Sequence, residues 1–169
     1  MRNNSITINY KVLDDIAELP EQLQRLLSHA HEAVEDAYAP YSKFKVGAAV
    51  LLENGILVKG SNQENASSPV GICAERVTLS AASATHPTIA IMAIAITAKA
   101  NGYVLNEAVA PCGICRQTLL EYEERFQKPI QLILQGETGG ILWMESSKDL
   151  LPLSFGKDDL KSADSITGI

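Results

Sequence analysis

The sequence predicts an α/β fold, a three-layer α/β/α sandwich around a mixed central sheet of about five strands. Three observations carry this. Strand-like and helix-like segments alternate after one early hairpin, which places helices on both faces of a sheet. The stretch Ile89–Thr97 is almost wholly apolar, as suits a central strand covered on both sides. Between Leu23 and Ala37, apolar residues recur every three or four positions, the stripe of an amphipathic helix.

In chain order, Ile6, Ile8, Tyr10 and Val12 alternate with polar residues, so residues 5–12 read as a short strand or an extended arm. Pro20 and Glu21 open the first helix, which stops before Ala39-Pro40. Lys45–Leu52 and Ile56–Gly60 flank Asn54-Gly55, a strong two-residue hairpin signal. A polar stretch, Ser61–Ala66, leads through Pro69 and Gly71 to a second helix from about Ile72 to Ala84. After the Ile89–Thr97 strand, Asn101-Gly102 marks a turn, and Val104–Ala110 reads as loop. A third helix starts near Cys112. Strands follow at Ile130–Leu134 and Ile141–Met144, separated by Gly139-Gly140. Ser146 and Ser147 cap a short turn before Pro152. We divide the chain into an N-terminal extension or arm (1–19), one domain (20–155) and a polar C-terminal tail (156–169).

At 169 residues the chain suits one domain with a full core. A net charge of −6 argues against nucleic acid as partner, since phosphate binding needs clustered Lys and Arg. No run of about 18 apolar residues points to a membrane. Three closely spaced cysteines favour reduced thiols, metal binding and a cytoplasmic location.

Those cysteines organise the chemistry. Cys73 stands two residues before Glu75, and Cys112 and Cys115 form a C-x-x-C directly after Pro111. A lone C-x-x-C is compatible with redox chemistry, but that reading leaves Cys73 and Glu75 unused. Three thiolates around Zn²⁺ leave a fourth position open to water, the ligand count of a catalytic rather than a structural site. His29, His31 and His86 are not placed to fill that position. Cys73 and Cys112 both fall at predicted helix starts, where free N–H groups favour a thiolate. Zn²⁺ with three thiolates carries a formal −1, which Arg76 and Arg116 would offset by donating to the sulfurs. Glu75, on the first turn after Cys73, is placed to accept a proton from water at the open position. Its bland reading is a favourable acid at a helix N-terminus.

Four stretches in order, Ala39–Ala49, Asn62–Ala66, Cys73–Arg76 and Pro111–Gln117, resemble the small homotetrameric cytidine deaminases, over roughly residues 20–155. The H/C-x-E and P-C-x-x-C pair is the general signature of zinc deaminases. The resemblance implies one Zn²⁺ per subunit on Cys73, Cys112 and Cys115, with Glu75 as proton shuttle. It implies Phe44 against the pyrimidine ring, Asn62 and Glu64 on the ribose, and backbone near Ala74 reading the base. It implies a homotetramer with shared sites, in which Phe155 reaches a neighbour's pocket. The reaction implied is hydrolysis of cytidine or 2′-deoxycytidine to the uridine products plus ammonia, as in pyrimidine salvage. The chain departs from the family at the rim: Ser68, followed by Pro69, stands where the resemblance implies a tyrosine, and Gly71 stands where a larger residue is usual. That keeps a second substrate class open, a modified cytosine nucleoside or a cytosine-containing antibiotic.

Overall fold

The structure is a computed structural model that describes residues 1–160. Its elements are β1 (Lys11–Leu13), α1 (Glu21–Glu35), β2 (Phe44–Leu52), β3 (Leu57–Ser61), α2 (Ala74–Thr85), β4 (Ile91–Ala100), α3 (Gly113–Phe126), β5 (Gln131–Gln135) and β6 (Ile141–Met144). The strands form one sheet in the order β1-β6-β5-β4-β2-β3. Only β4 and β5 pair in parallel, so the sheet is mixed as expected, and α3 lies on the connection that parallel pairing requires.

The sheet has six strands where about five were expected. The sixth is β1, three residues long, and it corrects the expectation of a strand over residues 5–12. Its register runs Lys11↔Trp143 to Leu13↔Ile141, and β6 ends at Met144, so residues before Tyr10 have run past its end. Ile6, Ile8 and Tyr10 are exposed, with no strand to alternate across. The hairpin also differs in detail. Leu52 N–H donates to the Ile56 carbonyl at 2.9 Å, enclosing three residues, and of these only Gly55 is left-handed (φ 84°). A two-residue type I′ turn needs both central residues left-handed.

Alternation along the central strands divides the core in two. Ala48, Val50, Leu52, Ile94, Ile96, Leu132 and Leu134 face α2 and α3. Ala49, Leu51, Ala93, Ala95 and Ile133 face α1, whose buried stripe is Leu23, Leu26, Leu27, Ala30, Ala33 and Val34. The apolar run of β4 therefore sorts by size, alanines toward α1 and isoleucines toward the other layer. Small residues on one side draw α1 close. At Gly47 a Cβ would sit 2.2 Å from the Ala30 carbonyl oxygen, so this contact requires glycine. Leu19, ahead of α1, is also buried in this layer.

Glu123 ties the end of α3 to the two segments that follow it. The carboxylate is buried and accepts from Ile130 N–H (3.0 Å), Ser147 N–H (2.8 Å) and the Ser147 hydroxyl (2.7 Å), with Ser146 also donating. A buried carboxylate survives in a core only with such partners. The tail continues as a short helical turn at Lys157–Asp159, and residues 161–169 of the predicted tail lie outside the described residues.

Candidate functional site

Two helix N-termini meet on one side of the sheet. Residues 63 and 72 bond each other in both directions, Gln63 N–H to the Ile72 carbonyl (2.9 Å) and Ile72 N–H to the Gln63 carbonyl (3.0 Å). This holds Ile72 extended, delays α2 to Ala74, and makes Cys73 its N-cap. Cys112, directly after Pro111, is likewise the extended N-cap of α3, and Cys115 lies one turn in. The three sulfurs lie within 4.8 Å of one another, and Cys112 Sγ and Cys115 Sγ are 3.9 Å apart.

Their environments differ. N–H groups of Cys115 and Ile114 at the start of α3 hold the Cys112 thiol below its ordinary range. Burial, and then the nearby Glu75 charge, pushes the Cys73 and Cys115 thiols up. Two raised thiols and a carboxylate crowded together call for a cation. Three soft sulfur donors at this spacing suit zinc, not a hard oxygen-seeking ion.

Glu75 lies on the first turn of α2 and is only 5% exposed. Its carboxylate accepts no hydrogen bond and joins no ion pair among the described residues, in contrast to Glu123. It borders a cavity of about 810 Å³ that Cys73 and Cys112 also line. A carboxylate this enclosed, unpartnered within the chain and open to a cavity, is free to serve what enters.

The structure brings Phe44, Asn62, Glu64 and Ala74 to the same cavity. Phe44 is half-buried and joins neither core cluster. The Asn62 amide clips the start of β2: Val46 N–H donates to Oδ1 (2.8 Å), and Nδ2 donates to the Phe44 carbonyl (3.0 Å). One N–H and one lone pair of that amide remain. Glu64 accepts from Tyr41 N–H (2.9 Å) and Ser42 N–H (3.2 Å). The Ser42 hydroxyl first, then the Tyr41 N–H, hold its carboxyl below the usual range. Ala74 is fully buried at the first position of α2.

Arg116 takes another place than the sequence reading gave it. Arg116 donates to the carbonyls of Pro111 (Nε, 2.7 Å) and Leu150 (Nη1, 3.0 Å), not to a thiolate. A guanidinium spans two carbonyls readily, and the Pro111 carbonyl is one residue from Cys112. Arg76 is half-buried and makes no hydrogen bond among the described residues. Phe155 is exposed and does not border this chain's own cavity; its carbonyl accepts from the Gln117 side chain at 2.8 Å. At the rim, Ser68–Val70 forms a single helical turn closed by Gly71 N–H to the Ser68 carbonyl (3.1 Å). A Cβ on Gly71 would lie 3.2 Å from that oxygen, tight enough to disturb the turn.

Sequence reasoning missed Tyr41, Ser42, Val109 and Ala110 as parts of the cavity. Pro40-Tyr41-Ser42 was a legible turn signal, and Val109-Ala110 leads directly into Pro111.

Residues 20–127 match the family described as the cytidine and deoxycytidylate deaminase zinc-binding region. The chain belongs to this family. Among its relatives, a cytidine deaminase of Halalkalibacterium halodurans is 37% identical over 81% of this chain and 96% of its own length. One of Mycobacterium tuberculosis is 38% identical over 80% and 90%. The crystal structure of the Burkholderia pseudomallei cytidine deaminase shares 37% identity, covers 78% of this chain and 97% of its own, and superposes with a TM-score of 0.67. Zinc is therefore the cofactor, and the three cysteines are positioned to bind a metal ion.

Proposed function

We propose that the protein is a zinc-dependent hydrolase that converts cytidine and 2′-deoxycytidine to uridine and 2′-deoxyuridine with release of ammonia. The observation that carries this is the enclosed, unpartnered Glu75 carboxylate beside three converging thiols. The names of the relatives support it.

Cys73, Cys112 and Cys115 hold the zinc. When bound, zinc supplies a Lewis acid that makes water nucleophilic near neutral pH. Glu75 takes the proton of the attacking water and hands it to N3 of the base, which leaves C4 more electrophilic. It then takes the proton of the new C4 hydroxyl and delivers it to the amino group, and the C4–N bond breaks as the C4 carbonyl forms and ammonia leaves. Phe44 packs on the pyrimidine face. Asn62 spends its remaining N–H and lone pair on the ribose, and Glu64 accepts from a sugar hydroxyl. The N–H groups of the first turn of α2, around Ala74, are unspent by the helix and read the base edge. Arg116 supports the ligand set through the Pro111 carbonyl, one residue from Cys112, and Arg76, one residue past Glu75, has its donors available to the thiolates. Replacing Glu75→Gln removes the proton carrier and spares the thiols. Ammonia release is expected to fall by about a hundredfold or more while bound zinc is retained. Undiminished turnover with zinc in place would reject the assignment.

In this reading residues 20–155 are the catalytic unit, with residues 1–19 as an arm and 156–169 as a tail. The enzyme works in the cytoplasm in pyrimidine salvage, as a homotetramer in which Phe155 enters a neighbour's site. One observation favours a broader substrate range: Ser68 and Gly71, both small, line the cavity. A panel of cytidine, deoxycytidine and base-modified cytosine nucleosides, followed by absorbance, decides it. A higher kcat/KM for a modified nucleoside than for both parent compounds is the result expected of the second reading.

A further inference from the structure

A second cavity, of about 440 Å³, is lined by Tyr38, Ala39, Pro40 and Lys43, residues of the same strap that carries Tyr41, Ser42 and Phe44 on the larger cavity. Its lining includes Glu35, Tyr38, Lys43, Lys45, Lys99 and Asn101. Three of the nine lysines in an acidic chain thus converge on one small space. Their internal partners are few. Lys45 Nζ donates to the Glu35 carbonyl at the end of α1 (2.9 Å), and Lys99 Nζ pairs with the Glu35 carboxylate (3.2 Å). Lys43 has no acceptor among the described residues. An ammonium carries three donors, so most of the N–H groups of this trio are unspent.

The charge of the cavity defines its ligand. Three lysines against the single Glu35 carboxylate leave two positive charges. The C-terminus of α1 subtracts about half a charge. What remains is close to the charge of a phosphate monoester near pH 7, about −1.5 to −2. Lysine is a regular phosphate partner, acting as a point charge. The volume lies within the range of small-ligand sites, roughly 300–1,000 Å³, and exceeds what a bare phosphate needs. Half-exposed Tyr38 supplies an apolar wall for the organic group attached to it.

The two cavities share a wall. Lys43 sits at a left-handed position (φ 59°), bonded through its N–H to the Ala39 carbonyl (3.1 Å) and through its carbonyl to Asn101 N–H (3.1 Å). Its immediate neighbours, Ser42 and Phe44, line the larger cavity, and Ser42 N–H holds Glu64 there. Lys43 is near enough for its charge to act on Glu64 as well.

We propose that the basic cavity binds a phosphate monoester on a sugar-sized group, and that its occupancy is felt in the larger cavity through residues 38–44. Binding stands on the lysine geometry alone; the coupling rests on the proposed deamination. The coupling is expected to be positive, and by linkage it is reciprocal.

The test uses the zinc-loaded protein. Ribose 5-phosphate and, separately, inorganic phosphate are titrated while the backbone amides of residues 38–44 are followed by NMR. Saturable shifts are expected with both, tighter with the sugar phosphate. The Lys43→Gln/Lys99→Gln double variant is expected to bind about tenfold or more weakly. Lys59→Gln, which removes a lysine paired with Glu32 elsewhere, is expected to bind normally. Saturating ribose 5-phosphate is expected to lower KM for cytidine at least about twofold, and potassium chloride at equal ionic strength is not. Shifts that never saturate, or equal affinity in the double variant, overturn the site. Binding that leaves KM untouched overturns the coupling. The amide shifts are read without turnover, so an inactive enzyme that still binds phosphate would count against the deaminase reading and not against the site.

Discussion

At the residue scale, two carboxylates on the cavity show how environment separates roles. Glu75 is enclosed and unpartnered, so it is free to move a proton. Glu64 is bonded by Tyr41 and Ser42, so it is fixed as an anion and can only accept. Its depressed pKa has a definite sign for pH dependence. A depressed carboxyl contributes its interactions fully above its unfolded value, here 4.5, and loses them as pH falls through the lower folded value. The Glu64 carboxyl, followed by carbon NMR without substrate, is therefore expected to titrate below 4.5. Ser42→Ala removes the largest cause of the depression, so the midpoint is expected to move upward toward 4.5. A midpoint above 4.5 in the unmodified enzyme would show that Glu64 is not held in this way.

At the element scale, the site depends on where α2 and α3 begin. The 63–72 backbone pair sets the first start. Arg116 sets the second, by binding the Pro111 carbonyl and anchoring it to Leu150 in the turn at Ser147–Leu150. That turn is in turn held by Glu123. Arg116→Ala breaks this chain of support without touching a sulfur. Zinc affinity, measured by competition with a chelator, is expected to fall about tenfold. Arg116→Lys is expected to rescue little, because one ammonium cannot replace two forked donors aimed at separated carbonyls. An unchanged affinity in Arg116→Ala would reduce the arginine to a packing role.

At the scale of the whole molecule, the layers, the order of elements and the sulfur cluster were legible in the sequence. They follow from hydrophobic periodicity and from residue types whose chemistry allows few alternatives. The exact start of α2, the β1 edge and the role of Arg116 were not, because each is decided by a backbone partner elsewhere in the chain: Gln63 for Ile72, Trp143 for Lys11, Leu150 for Arg116. A single sequence also does not show which apolar residues the fold leaves outside. Ile114, inside the C-x-x-C, is 63% exposed at the start of α3, and Val70 on the cavity rim is 64% exposed. With exposed Leu153 and Phe155 they leave large apolar side chains without cover in one chain. Subunit association supplies that cover in the proposed homotetramer. Ile114→Asp places a charge in such a contact and leaves the sulfurs in place. Sedimentation is expected to show smaller species, and ammonia release is expected to fall, while zinc content stays at one per chain. The same variant sedimenting as a full tetramer would place Ile114 outside the contact. Full activity in the dissociated species would mean that one chain completes its own site.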